Sequence, residues 1–147
     1  MANKHQDGKD KGSIGIDTSL YFTDTFKFTG QLVLSYGDFN HDNWAFFLRP
    51  SYDSATSHFH VRYTYLGKYF CDNANAVGFI RDDNRHELDS ALEKTFWIKR
   101  KVIERVAYDS NYNIYWGVDR TLRSWQIDQG LEIDLKNKIA LGVDYTN

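Results

Sequence analysis

The chain has 147 residues, a formal net charge of −2 and 16% aromatic residues. That length supports one domain with a substantial core, and nothing in the charge suggests a nucleic-acid partner. No run of about 18 apolar residues is present to form a transmembrane helix. The mean hydropathy of −0.59 suits a water-soluble domain and equally a membrane barrel, in which half of every strand is polar.

Residues 1–12, "MANKHQDGKDKG", are polar and mixed in charge. They lack the apolar centre of a signal peptide and are expected to form a flexible segment ahead of a β unit over residues 13–147. From there the chain alternates with a period of two. "SIGIDTSLYF" sets Ile14, Ile16, Leu20 and Phe22 against Gly15, Asp17 and Ser19. "FKFTGQLVLSY" sets Phe26, Phe28, Leu32 and Leu34 against Lys27, Thr29 and Gln31. "NWAFFLRPSYD" sets Trp44, Phe46, Leu48 and Tyr52 against Arg49, Ser51 and Asp53, with Pro50 best accommodated at a break in the ladder. "HFHVRYTYLG" sets Phe59, Val61, Tyr63 and Tyr65 against His58, His60, Arg62 and Thr64. Four further stretches follow the same rule: Leu88 to Ile98 against Glu87, Asp89 and Glu93; Val106 to Trp116 against Arg105 and Asp109; Trp125 to Leu135 against Asp128, Glu132 and Asp134; and Ile139 to Tyr145 against Asp144. The pattern predicts about eight strands and no helix.

The connections alternate in length. "TDT", "SAT", "KRK" and "KNK" are turn-length, whereas "GDFNHDN", "KYFCDNANAVGFIRDDNR" and "GVDRTL" are longer. All long links therefore fall at one end, as in an antiparallel up-and-down transmembrane β-barrel. Aromatic residues near strand ends, among them Phe22, Phe26, Trp44, Phe96, Trp97, Trp116 and Trp125, match the girdles at membrane interfaces. The apolar face is crowded with large side chains and has few small ones, which fits an outward lipid-facing band better than the filling of a small barrel. Lys94, Glu104, Ser90, Ser110 and Gln129 fall on that face against the pattern. Lys94 and Glu104 are expected to oppose one another across a hairpin, or a bulge to shift the face.

On this reading a wet lumen is lined by Asp17, Lys27, Arg49, His58, His60, Arg62, Arg105, Asp109, Asp128, Glu132 and Asp134. Arg81, Asp82, Asp83 and Arg85, in the longest loop, could fold inward as a constriction. With eight strands and tight turns on the periplasmic side, both ends of the chain lie on the outer side, and the last residues lack a terminal aromatic. The chain is therefore expected to be a segment of a larger barrel in the cell outer membrane, with the lipid bilayer as its partner.

"GIDTSLYFTDTFKFTGQLVLS" together with "YTYLGKYFCDNANAVGFIRDDNRHELD" resembles the C-terminal barrel of an uncharacterised bacterial family. Its members carry a carbohydrate-binding-module-like β-sandwich, of the family-nine type, before an outer-membrane barrel. The resemblance rests on Gly15, Asp17, Gly30, Gln31, Tyr65, Phe70, Gly78, Phe79, Arg81, Asp83 and Arg85, and covers about the first two-thirds of the chain. Cys71 departs from it. The resemblance implies a porin-like channel or an anchor for a carbohydrate-binding domain that this chain lacks, and it transfers no reaction.

No chemistry stands out beyond this. His58 and His60 could ligate zinc or copper, but no third ligand accompanies them, so no metal or other cofactor is expected. Asp38, Asn40 and Asp42 have calcium-loop spacing without the required glycine or the final acid. No nucleophile motif is present, and Asp128, Glu132 and Asp134 form only the kind of carboxylate row any wet wall offers. A non-enzymatic protein is expected. The alternative is a soluble, lipocalin-like eight-stranded barrel around a small hydrophobic ligand.

Overall fold

The computed structural model describes residues 1–6, 8–75, 77–78 and 82–147. Nine strands form one antiparallel sheet in strict sequence order, β1 Ala2–Gln6, β2 Lys9–Tyr21, β3 Phe26–Tyr36, β4 Trp44–Ser54, β5 Ser57–Leu66, β6 Arg85–Arg100, β7 Ile103–Gly117, β8 Leu122–Leu135 and β9 Ala140–Thr146. The all-β up-and-down meander is thus the one the alternation predicts. The sheet is open, since β1 and β9 are its two edges and do not pair.

The strand count differs by one. The stretch 1–12, expected to be flexible, contains β1 and the start of β2, paired from Ala2↔Ser13 to Gln6↔Lys9. Gly8, at φ +74°, supplies the left-handed backbone this hairpin needs. The signal was present as the Asp-Gly dipeptide typical of tight hairpins. It was masked because the flanking runs are polar and show no alternation.

Register fixes the two faces. Ile16, Leu32, Phe46, Tyr65, His86 and Trp116 stand in one row across β2 to β7. One residue along, Asp17, Gln31, Phe47, Thr64, Glu87 and Tyr115 form a row on the opposite face. The β4–β5 ladder lapses at Arg49 and Pro50 and resumes in the same register at Ser51↔His60, because proline has no N–H to donate.

Lys94 and Glu104 do not oppose each other. Lys94 pairs with Tyr108. Glu104 is the extra residue of a bulge between Ile103↔Leu135 and Arg105↔Asp134. The inserted residue breaks the alternation, so that Ile103 meets apolar Leu135 while Arg105 stays with the acids. Two of the exceptions find polar partners on neighbouring strands. The Lys94 Nζ donates to Ser57 Oγ at 2.6 Å, and the Gln129 amide donates to Tyr112 OH at 2.9 Å.

One short helix was not foreseen. α1 (Phe70–Ala74) lies in the long connection after β5. Its Phe70 and Ala74 pack on Leu66, with Val33 and Ala45 beneath. These three strand residues belong to the face that carries the charges, so the small buried cluster sits on the polar side. The loop 37–43 closes over the same end. Phe39 stacks on Tyr69 with centroids 4.3 Å apart. The side-chain amide of Asn73, fully buried, accepts from Phe39 N at 3.1 Å and donates to Phe39 O at 2.8 Å. Gly37 is required here: a Cβ on it would lie 2.7 Å from Asn73 Oδ1.

Asn73→Ala would leave the Phe39 N–H without its partner and its C=O with only the Asn43 amide at 3.5 Å. At ~1–3 kcal/mol for an orphaned group, the contact between the two loops is expected to weaken by about 1–3 kcal/mol while the sheet persists. Amide exchange would check this: protection should fall in residues 37–43 and 67–75 and stay unchanged in β6 to β8.

Candidate functional site

The charged face holds a continuous series of side-chain contacts. It starts at the turn end, where Lys27 Nζ lies 3.1 Å from Asp53 Oδ2. The other oxygen of Asp53 meets His58 Nδ1. His58 Nε2 lies 2.9 Å from His60 Nδ1, and His60 Nε2 lies 3.5 Å from Asp89 Oδ2. Arg62 Nη2 bridges Asp89 at 3.2 Å and Glu87 at 2.9 Å. Arg85 follows, 3.8 Å from Glu87 and 3.3 Å from Asp82. Arg123 closes the series, with Nη1 3.2 Å from Asp82 and Nη2 donating to Asn84 O at 2.9 Å.

Strand geometry explains the series. His58, His60 and Arg62 alternate along β5. Asp89 stands directly opposite Arg62 on β6, with Glu87 one step along the same face, and Ala91 opposite His60 leaves room between them. Glu87 is 6% exposed, and its charge is held by Arg62 and Arg85 with Tyr115 OH 3.5 Å away. A second group is separate: Arg105 donates from Nε to Asp134 at 2.6 Å and from Nη2 to Glu132.

The expected lumen residues therefore divide. Lys27, His58, His60 and Arg62 join the series, and Arg105, Glu132 and Asp134 form the second group. Asp128 accepts from the Gln126 amide at 2.7 Å. Asp109 lies against Gly130, whose missing side chain gives it room. Asp17 and Arg49 make no ion pair among the described residues. Of the expected constriction, Arg81 lies outside the described residues. Asp82 and Arg85 belong to the series, and Asp83 Oδ2 accepts from Cys71 N at 2.8 Å. Asp82 is thus bound to cations of the charged face, and Asp83 to the backbone of α1.

Sequence reasoning did not single out Arg123. By alternation it falls on the apolar side, and its reach to the loop depends on a bulge beside Tyr115 that period two does not reveal. Asp42 was also undervalued. It accepts from Tyr65 OH and from Lys68 N at 3.0 Å, and so ties two loops to β5. Asp38 is occupied as well, by Lys11 and by Lys9 at 2.9 Å, and these two ammonium groups hold its carboxyl below the usual range. Both carboxylates of the calcium-like loop are therefore directed to protein groups.

Burial, reinforced by the nearby charge of Asp83, pushes the Cys71 thiol up to about 12. It is a thiol and not a thiolate at neutral pH, so it lacks the nucleophilic form. Among the described residues no group of three or more His, Cys, Asp or Glu side chains is placed to hold a metal ion.

The opposite face is apolar, and no element of the described residues covers it. Trp44, Phe46, Tyr63, Tyr65, His86 and Trp116 form a continuous aromatic cluster at the loop ends of β4 to β7, with Trp44 stacked on Phe46 at 5.4 Å and His86 on Trp116 at 5.4 Å. Leu32, Leu48, Leu131 and Leu141 are 49%, 43%, 44% and 57% exposed. Comparison with protein-family models, with curated proteins and with solved structures finds no match.

Proposed function

We propose that the chain forms the wall of a bacterial outer-membrane β-barrel with a polar lumen. It would act as a channel for small polar solutes or as the membrane anchor of an extracytoplasmic carbohydrate-binding protein. The observation that carries this reading is the one-sidedness of the sheet. The only helix and the only buried apolar cluster among the described residues lie on the charged face. Over the broad face of Leu, Ile, Trp and Tyr none of the described residues packs as a covering layer. Water on both sides would leave a contiguous apolar surface far larger than monomeric soluble proteins expose.

Strand length agrees. β2 to β8 have 10 to 16 residues, against about 9–11 needed to cross the hydrocarbon. Neighbouring strands are paired along most of their length, with gaps only at Arg49 and Pro50 and at the bulges, which suits a bilayer. The anchor role draws on the sequence resemblance alone. The lipocalin-like alternative needs the large apolar side chains to enclose a centre, and among the described residues they have no enclosing layer.

Tryptophan quenching tests the reading. Trp44, Trp116 and Trp125 lie on the apolar face, whereas Trp97 stands opposite Arg105 on the charged face. In vesicles containing brominated lipid, single-tryptophan variants retaining one of the first three should be strongly quenched, and the Trp97-only variant weakly. A protein that stays monomeric in plain buffer, with all four tryptophans indifferent to brominated lipid, would overturn the proposal.

A further inference from the structure

We propose that Asp53, His58, His60 and Asp89 form a single proton-binding unit, which takes up one proton, and not two, on mild acidification. This goes beyond the channel reading and does not depend on where the apolar face lies. It rests on counting hydrogens along three consecutive contacts. Asp53 meets His58 Nδ1, His58 Nε2 meets His60 Nδ1 at 2.9 Å, and His60 Nε2 faces Asp89 at 3.5 Å.

Two neutral imidazoles bring two N–H groups to these three contacts. If His58 donates to Asp53 and His60 donates to His58, the bare Nε2 of His60 points its lone pair at the Asp89 carboxylate. The opposite tautomers leave the same defect at Asp53. One proton taken from water repairs it, giving an N–H in all three contacts and charge-assisted hydrogen bonds to carboxylates at both ends. A further proton must place an N–H on both sides of the 2.9 Å contact between the rings. That removes the bond and sets two cations against each other. The two rings therefore titrate as a pair, with the second step displaced well away from the first.

The surroundings do not decide the matter by net charge. Lys27 on β3, Arg49 on β4 and Arg62 on β5 face the unit. Against them stand its own Asp53 and Asp89, together with Glu93, which stands opposite His58 on β6. Arg62 is shared with Glu87 at 2.9 Å, so neither sign is in large excess around the unit, and the hydrogen-bond pattern controls the uptake. The consequence is a unit that adds one positive charge to the polar face and holds it delocalised over two rings.

Nitrogen NMR of the full chain, labelled with 15N-histidine and held in lipid, tests this. His58→Gln and His60→Gln assign the two rings, and exposed His41 serves as reference. On going from pH about 8 to about 5, across the ordinary histidine range, the pair should gain one proton in total, with both rings shifting part-way. In either single variant the remaining ring should gain a whole proton. Asp89→Asn should move the shared proton toward His58, because only the His60 end loses an anionic acceptor. That variant carries the test by itself if the glutamine variants do not fold. The proposal is overturned if each ring of the unaltered protein gains a whole proton. It is equally overturned if neither gains any, or if Asp89→Asn leaves the distribution unchanged.

Discussion

Replacing Arg62 with alanine is expected to cost about 2–3 kcal/mol of sheet stability, while Arg62→Ala combined with Glu87→Gln should recover more than half of that loss. Arg62 serves two carboxylates, Glu87 at 2.9 Å and Asp89 at 3.2 Å. Glu87 is the more demanding, because it is 6% exposed and cannot turn to water. Removing one partner of a buried pair costs ~3–5 kcal/mol when the remaining charge is isolated. Two features lower the figure here. The Arg62 side chain is itself 39% exposed, so solvent screens part of its interaction. Arg85 also remains 3.8 Å from Glu87. Glutamine at position 87 removes the stranded charge, which is why the double variant should be the more stable of the two. Denaturant unfolding in lipid or detergent would check both. An Arg62→Ala effect within about 0.5 kcal/mol, the range of an ordinary surface substitution, would mean that the contact series is a surface decoration and not a structural tie.

The same residues show how much of the molecule the sequence carried. Alternation assigned Arg62, Glu87 and Asp89 to one face because a strand has a strict period of two, and the register places them together. The period holds through β3 to β8 wherever no residue is inserted. It fails at Glu104, where a bulge adds one, and beside Tyr115, where another brings Arg123 within reach of Asp82. Bulges leave little trace in composition: the one at Glu104 was foreseen only as one way to account for a charge on the apolar face, and the one beside Tyr115 was not legible. Neither was the loop packing. Asn73 is a polar residue in a polar segment, and nothing local indicates that its amide would pair with the backbone of Phe39, 34 residues away. The first strand was legible in part, through Asp-Gly, but a hairpin of lysines and a histidine offers no apolar face to read. Which solvent meets the apolar face is a different kind of question, since alternation separates the faces without naming what lies beyond them.

That question has a direct energetic answer in two neighbouring residues of β3. Leu32 points to the apolar face in a row with Ile16 and Phe46, and Gln31 points to the charged face between Asp17 and Phe47. Both are exposed, so in water an arginine at either site should be tolerated to within about 0.5 kcal/mol. Hydrocarbon breaks the symmetry. Leu32 lies near the middle of β3 (Phe26–Tyr36), where an arginine on the lipid side costs ~2–4 kcal/mol. If the proposed barrel wall is right, Leu32→Arg should therefore destabilise the protein in lipid by about 2–4 kcal/mol, and Gln31→Arg should change it little, since its side chain would enter the aqueous side beside Asp17. Equilibrium unfolding of both variants in the same vesicles measures the difference. Equal, small effects would place water on both faces and remove the basis for a barrel wall. A large cost at Gln31 with none at Leu32 would mean that the sheet presents its charged face to the hydrocarbon, which its carboxylates and guanidinium groups could not withstand.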